Sequence, residues 1–265
     1  MSQVLDAHVE RLVQLLAKVR LGLERPTGGS GSAPWTLTWE GRRYPVAEVP
    51  LADVDVACEA AEIMAVAAAF EAAVKAPDRR VPGETFRAGA AGLLPKIERR
   101  RFAAAYDAVV AGRGGDGAGG AERLLWQPFG DELIAAYVED QGWKFAYLTR
   151  GRFAGWDTTL GAVHAGARSN LYHRAALDWR ASEVALGDGY DAARAVLMED
   201  VFYDRCGAMG VEVAVPGRDL LMVAAVGEGL DGARVAAAYA GAAYPIAPTI
   251  YRFRQDGLHR SEPPN

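Results

Sequence analysis

Residues 186–226, LGDGYDAARAVLMEDVFYDRCGAMGVEVAVPGRDLLMVAAV, constrain the fold more than any other stretch of this chain. Two apolar runs, Val211–Val215 and Leu220–Val226, are separated only by Pro216-Gly217-Arg218-Asp219. So short a connection cannot hold a crossover helix, so the two runs must lie antiparallel as a hairpin. Ahead of them Asp188-Gly189 marks a turn, and Tyr190 to Cys206 reads as a helix of about four turns. Ala193, Leu197 and Val201 recur four apart along it, and Gly207 is its stop.

The rest of the C-terminal half follows the same grammar. Leu133–Glu139 and Trp143–Thr149 read as strands joined at Asp140-Gln141-Gly142. Asp157 or Thr158 is placed to cap a helix ending at Tyr172, and residues 177–186 alternate apolar and polar like one strand. A last helix spans Asp231 to Ala243, and Thr249–Arg254 is a final strand before Asp256-Gly257, followed by a frayed tail ending SEPPN. Hairpin-length connections predominate. The expected class is therefore α+β, a largely antiparallel sheet with helices on one face.

The N-terminal part is different. Leu5, Val9, Leu12, Leu16, Val19 and Leu23 form one apolar stripe at alternating steps of four and three, predicting an amphipathic helix within 1–24. Such a stripe packs on its own domain or forms a seam with a partner. Arg25 to Pro34 has linker composition. Within 35–75, WTLTWEGRRYPVAEV predicts a hairpin about Glu40-Gly41, with Trp35, Leu37 and Trp39 on one face, and Asp53 caps an alanine-rich helix over 54–75. Residues 76–92 read as a loop. Lys96, Arg99, Arg100 and Arg101 form the densest basic cluster, expected on a solvated helix face or turn. GRGGDGAGG at 112–120 reads as a flexible segment and the main boundary.

Composition then limits function. The 265 residues are 51% hydrophobic and 24% charged, as in a globular chain able to bury a core without metal or disulfide. A net charge of −5 and the lack of an aromatic-basic stripe argue against nucleic acid. No apolar run of about 18 residues predicts a membrane span. Asp6, Glu10 and Arg11 stand where a signal peptide would be apolar, so a cytoplasmic protein with buried free thiols at Cys58 and Cys206 is expected.

No chemical motif assembles. Gly115-x-Gly117-x-x-Gly120 matches the dinucleotide fingerprint but lacks a βαβ context, and 30 glycines make chance matches easy. His8, His164, His173 and His259 never fall at helical i, i+4 spacing, and neither cysteine has a partner at ligand spacing, so no metal or cofactor is expected. Carboxylates cluster at Glu139-Asp140, Asp188-Asp191 and Glu199-Asp200, where turns and caps ordinarily use them. The Arg218-Asp219 turn could present a guanidinium beside a carboxylate, suited to an anion or polar ligand.

Asn170-Leu171, Asp188-Gly189-Tyr190-Asp191-Ala192, VAVPGRDLLMVA at 213–224 and YPIAPTIYRFRQDG at 244–257 occur in that order. Together they resemble the YtpQ family of bacterial proteins of unknown function, over roughly residues 125–260. LLPKI at 93–97 and LIAAYVED at 133–140 are similar more weakly, so a family-like α+β domain over 85–260 is expected. The family usually has asparagine where Gly217 stands, so no role of that side chain transfers. The resemblance implies an intracellular α+β protein, with no established activity and no catalytic residues.

The expectation is thus a non-catalytic binding or adaptor protein, meeting a protein partner or itself through the N-terminal helix. The alternative is a hydrolase or transferase acting on an anionic small molecule. Asp188, Tyr190, Arg194, Arg218 and Asp219 would line its site, with Arg218 holding the anion and a carboxylate as base.

Overall fold

A computed structural model describes residues 21–24, 35–39, 42–46, 68–69, 72–73, 83–113, 121–140, 145–174, 176–180, 182–186, 191–206, 210–254 and 257–261. Residues 2–20 of the helix expected over 2–24, the linker, most of the 54–75 helix, the 114–120 glycines, Asp188, Gly189, Tyr190 and the last four residues lie outside these. The chain is an α+β protein, and every strand pair among the described residues is antiparallel.

The first sheet joins β1 (Leu21–Glu24), β2 (Trp35–Trp39) and β3 (Arg42–Val46) in that order. The predicted hairpin is present, with Trp39 opposite Arg42. Leu21–Glu24, however, is a strand paired to β2 and not the last turn of a helix. Helical periodicity fits either state over four residues, and pairing with an available strand edge decides it.

A second sheet is built on β4 (Leu93–Arg99), β5 (Trp126–Pro128), β6 (Leu133–Asp140) and β7 (Phe145–Tyr147), all three others pairing β6. β4 runs Leu93 opposite Glu139 to Arg99 opposite Leu133. This pairing spans 112–120, so no domain boundary falls there. Pro95 is tolerated because β4 is an edge strand. Between the two strands runs α2 (Arg100–Arg113), which buries Phe102, Ala103, Tyr106 and Val110 at helical spacing. The expected 76–92 loop contains α1 (Phe86–Ala90), capped by the Thr85 hydroxyl, which accepts the Ala88 N–H.

The third sheet has six strands in the order β13-β12-β10-β11-β9-β8. These are β8 (Leu177–Arg180), β9 (Glu183–Leu186), β10 (Val211–Gly217), β11 (Leu220–Ala225), β12 (Ile250–Arg254) and β13 (Gly257–Arg260). Residues 177–186 are therefore a hairpin and not one strand, and β13 follows the strand expected to be last. Two further helices, α3 (Arg150–Phe153) and α4 (Leu160–Arg174), link the second sheet to the third. The cap of α4 is Thr159, whose hydroxyl accepts the Ala162 N–H, one residue beyond the expected caps. The single helix predicted over Tyr190–Cys206 is two elements, a 3-10 turn η1 (Ala192–Leu197) and α5 (Glu199–Cys206), broken at Met198. Asp231 caps α6 (Gly232–Gly241) as expected.

One apolar core joins the second and third sheets. Ile97, Leu133 and Ala135 meet η1 and the inward residues Val211, Val213, Val215, Leu221 and Val223 of the hairpin. The intervening Ala214 and Met222 point to the opposite face and meet Val235 of α6. Helices thus cover both faces of the six-stranded sheet, where one face was expected. Behind the second sheet, Leu93, Tyr137, Trp156, Val163 and Ala167 form a further cluster under α4.

Candidate functional site

The β10–β11 turn is fixed from two sides. The Arg218 N–H donates to the Tyr244 carbonyl at 2.9 Å, and the Arg218 carbonyl accepts the Ala193 N–H at 2.9 Å. Residues 244–247 run along the end of β10, with the Ile246 N–H on the Pro216 carbonyl and Gly217 bridged to Pro245. Gly217 is needed for this approach, since a Cβ there would stand 2.8 Å from the Ala242 Cβ.

Arg218 is already occupied. Its Nε and Nη2 donate to the two oxygens of Asp219 at 3.0 and 3.2 Å, and its guanidinium lies 3.7 Å from the centre of the Tyr244 ring. Asp219 Oδ1 also accepts the Asp191 N–H at 3.3 Å. Of the five residues expected in a site, Arg194, Arg218 and Asp219 are gathered around this turn, while Asp188 and Tyr190 lie outside the described residues. Arg194 is among the largest fully buried side chains.

The buried carboxyl beside this turn is that of Asp191, which the sequence pattern presents only as one of a pair of turn carboxylates. Asp191 alone among the described non-glycine residues has positive φ (54°), it is 1% exposed, and among the described residues its Oδ1 has no hydrogen-bond partner. Burial pushes its carboxyl up to about 6; Lys96 and Arg194 pull it down, Glu98 pushes it up and Arg218 pulls it down. Lys96 and Glu98 come from β4, where the Lys96 Nζ is 3.4 Å from Glu98 and 5.4 Å from the ring centres of both Phe145 and Tyr147. The Tyr147 hydroxyl donates to Glu98 at 2.7 Å, and burial followed by the Glu98 charge drives that phenol well above its ordinary range. The result is a polar centre between the second and third sheets, with Lys96, Arg194, Glu98 and Asp191 buried or nearly so and Arg218 and Asp219 at its more exposed rim, half of the Asp219 side chain being exposed. Its one legible signal was Lys96 and Glu98 at alternate positions of an otherwise apolar segment.

The basic cluster divides accordingly. Lys96 and Arg99 sit on a buried strand, Arg99 beside Glu132 at 3.5 Å, whereas Arg100 and Arg101 are exposed as expected. The other carboxylate clusters hold structure together. Glu139 accepts from Arg152, which also forks onto Glu84 at 2.8 and 2.9 Å, and Asp200 accepts the Tyr172 hydroxyl. His164 and His173 both lie within α4, His164 against the Tyr137 hydroxyl and His173 on the Ser169 carbonyl, so they share no end of it. Burial, then Arg168, lowers the His164 imidazole. Among the described residues no three His, Cys, Asp or Glu side chains converge for a metal. The segment before the Gly115-x-Gly117-x-x-Gly120 match is helix α2, where that fingerprint requires a strand.

Fold and centre together define an α+β protein whose polar groups at the expected site are engaged with one another. Compared with protein-family models, curated proteins and solved structures, the chain matches none.

Proposed function

We propose that this chain is a non-catalytic binding protein whose docking surface is the outer face of α6, and that the surface takes a second copy of the chain. The observation that carries this reading is the inversion of the usual helix pattern. Ala233, Ala236, Ala237 and Ala240 recur at i, i+3, i+4 and i+7 on the solvent side, and all four are exposed. A solvated helix face ordinarily carries charge, and here Arg234 is the helix's single charged residue. Tyr244 follows three residues after the helix and is the most exposed large hydrophobic side chain among those described, at 44%. An uncharged face of small side chains lets an identical helix approach closely, and it offers no charge for selecting a different partner. The enzymatic alternative asks Arg218 to hold an anion. Its fork onto Asp219 and its stacking on Tyr244 speak against that use.

Light scattering after size exclusion tests the proposal on the full chain and on Ala237→Glu. A dimer that the exposed carboxylate converts to a monomer with an unchanged circular dichroism spectrum is the expected result. A full chain that is monomeric at about 100 μM, a concentration well above the Kd of a micromolar dimer, would sink it.

A further inference from the structure

We infer that Asp191 is a proton-sensitive joint of the fold, and that its carboxyl proton governs how firmly η1 and the Arg218–Asp219 turn are held against β4. Four geometric facts meet at this residue. Its backbone is left-handed, a region that non-glycine residues seldom enter and that Asp and Asn enter most readily. Its Oδ1 is buried without a partner among the described residues, the costly state for a carboxylate. Its N–H is tied to Asp219, and two residues on the Ala193 N–H is tied to Arg218. Finally, η1 packs on β4 through one apolar core, so Lys96 and Glu98 of β4 act on the carboxyl together with Arg194 of η1 and Arg218 of the turn.

The direction follows from linkage. Burial raises this carboxyl to about 6 from an ordinary 3.8, so the closed arrangement binds the proton more tightly than an opened, hydrated one. The stabilisation from that proton is complete below the ordinary value and is lost as pH rises through about 6. Above it, an ionised and partly unsatisfied carboxylate must stay buried, and opening η1 away from β4 relieves the cost. The turn it releases also carries Tyr244 through the Arg218 amide and guanidinium. Any effect on docking rests on the function proposed above, but the joint itself does not.

Amide hydrogen exchange on the full chain, corrected for the intrinsic pH dependence of exchange, reads the joint directly. Between about pH 4.5 and about pH 7.5, protection of the Ala193 and Arg218 amides should fall by on the order of tenfold to a hundredfold. In Asp191→Asn that pH dependence should vanish, because asparagine tolerates the left-handed backbone and keeps the shape but does not titrate. A flat profile in the native chain, or an unchanged slope in the variant, overturns the inference. A carboxyl-carbon NMR titration of the native chain needs no variant, and an Asp191 carboxyl that fails to titrate between about pH 5 and about pH 7 also overturns it. Repeating the exchange in Ala237→Glu separates the two proposals, since loss of a dimer leaves the joint's pH dependence intact.

Discussion

At the scale of single residues, Gly217 shows how a close approach dictates a side chain. Neither a glycine torsion nor a turn type requires it there; the Ala242 Cβ does, at 2.8 Å from where a Cβ would stand. Gly217→Ala should therefore cost about 1–3 kcal/mol, the range for overpacking a filled site. Adding Ala242→Gly should restore much of it, and urea unfolding of the two single variants and the double variant measures the recovery. Additive losses would show that the two positions do not press on each other. Asp191 was hidden for a related reason. A carboxylate beside a glycine turn reads as a turn residue, and only the approach of β4, from nearly a hundred residues earlier, turns it into a buried charge.

At the scale of elements, legibility depended on whether the pattern excluded alternatives. The 211–225 hairpin was legible because two apolar runs flank a connection too short for anything else. Residues 177–186 were not, because the sequence between Arg180 and Glu183 has no glycine, proline or asparagine to break the alternation. The run through η1 and α5 misled differently: Ala193, Leu197 and Val201 satisfy one helix, yet Met198 leaves helical torsions between them. Tertiary contacts also hold elements that propensity leaves unspecified. Asn170 of α4 donates from one amide nitrogen to the Ala90 and Leu93 carbonyls, both at 2.8 Å, and so fixes the passage from α1 into β4. Asn170→Ala should cost about 2 kcal/mol by stranding those carbonyls. Faster exchange at the start of β4, in preference to the rest of the second sheet, is the accompanying sign.

At the scale of the whole molecule, the long-range tie between the second and third sheets lay beyond sequence patterning. Glu132 precedes β6, yet it accepts from Thr249 at 2.7 Å and from the Tyr251 hydroxyl at 2.6 Å, with Arg99 at 3.5 Å and Arg260 at 3.2 Å. Burial raises this carboxyl, but its hydrogen bonds and cations prevail and it lies below its ordinary value. A carboxylate shared by two sheets over one apolar core predicts that they unfold together. Glu132→Ala should lower the urea midpoint by an amount equal to roughly 3 kcal/mol, in a single transition seen alike by probes on either sheet. Two separated transitions would show that the tie does not unite them.

The pairing of β4 with β6 has a consequence during synthesis. β4 buries nearly its whole length, and the strand it pairs with is Leu133–Asp140. At the usual pace of a ribosome, an apolar strand without its neighbour waits a few seconds in the emerging chain. Through that interval the charges within and just after LLPKI, Lys96 and Glu98 to Arg101, keep it apart from other nascent chains. The charges that later form the buried centre serve first as gatekeepers.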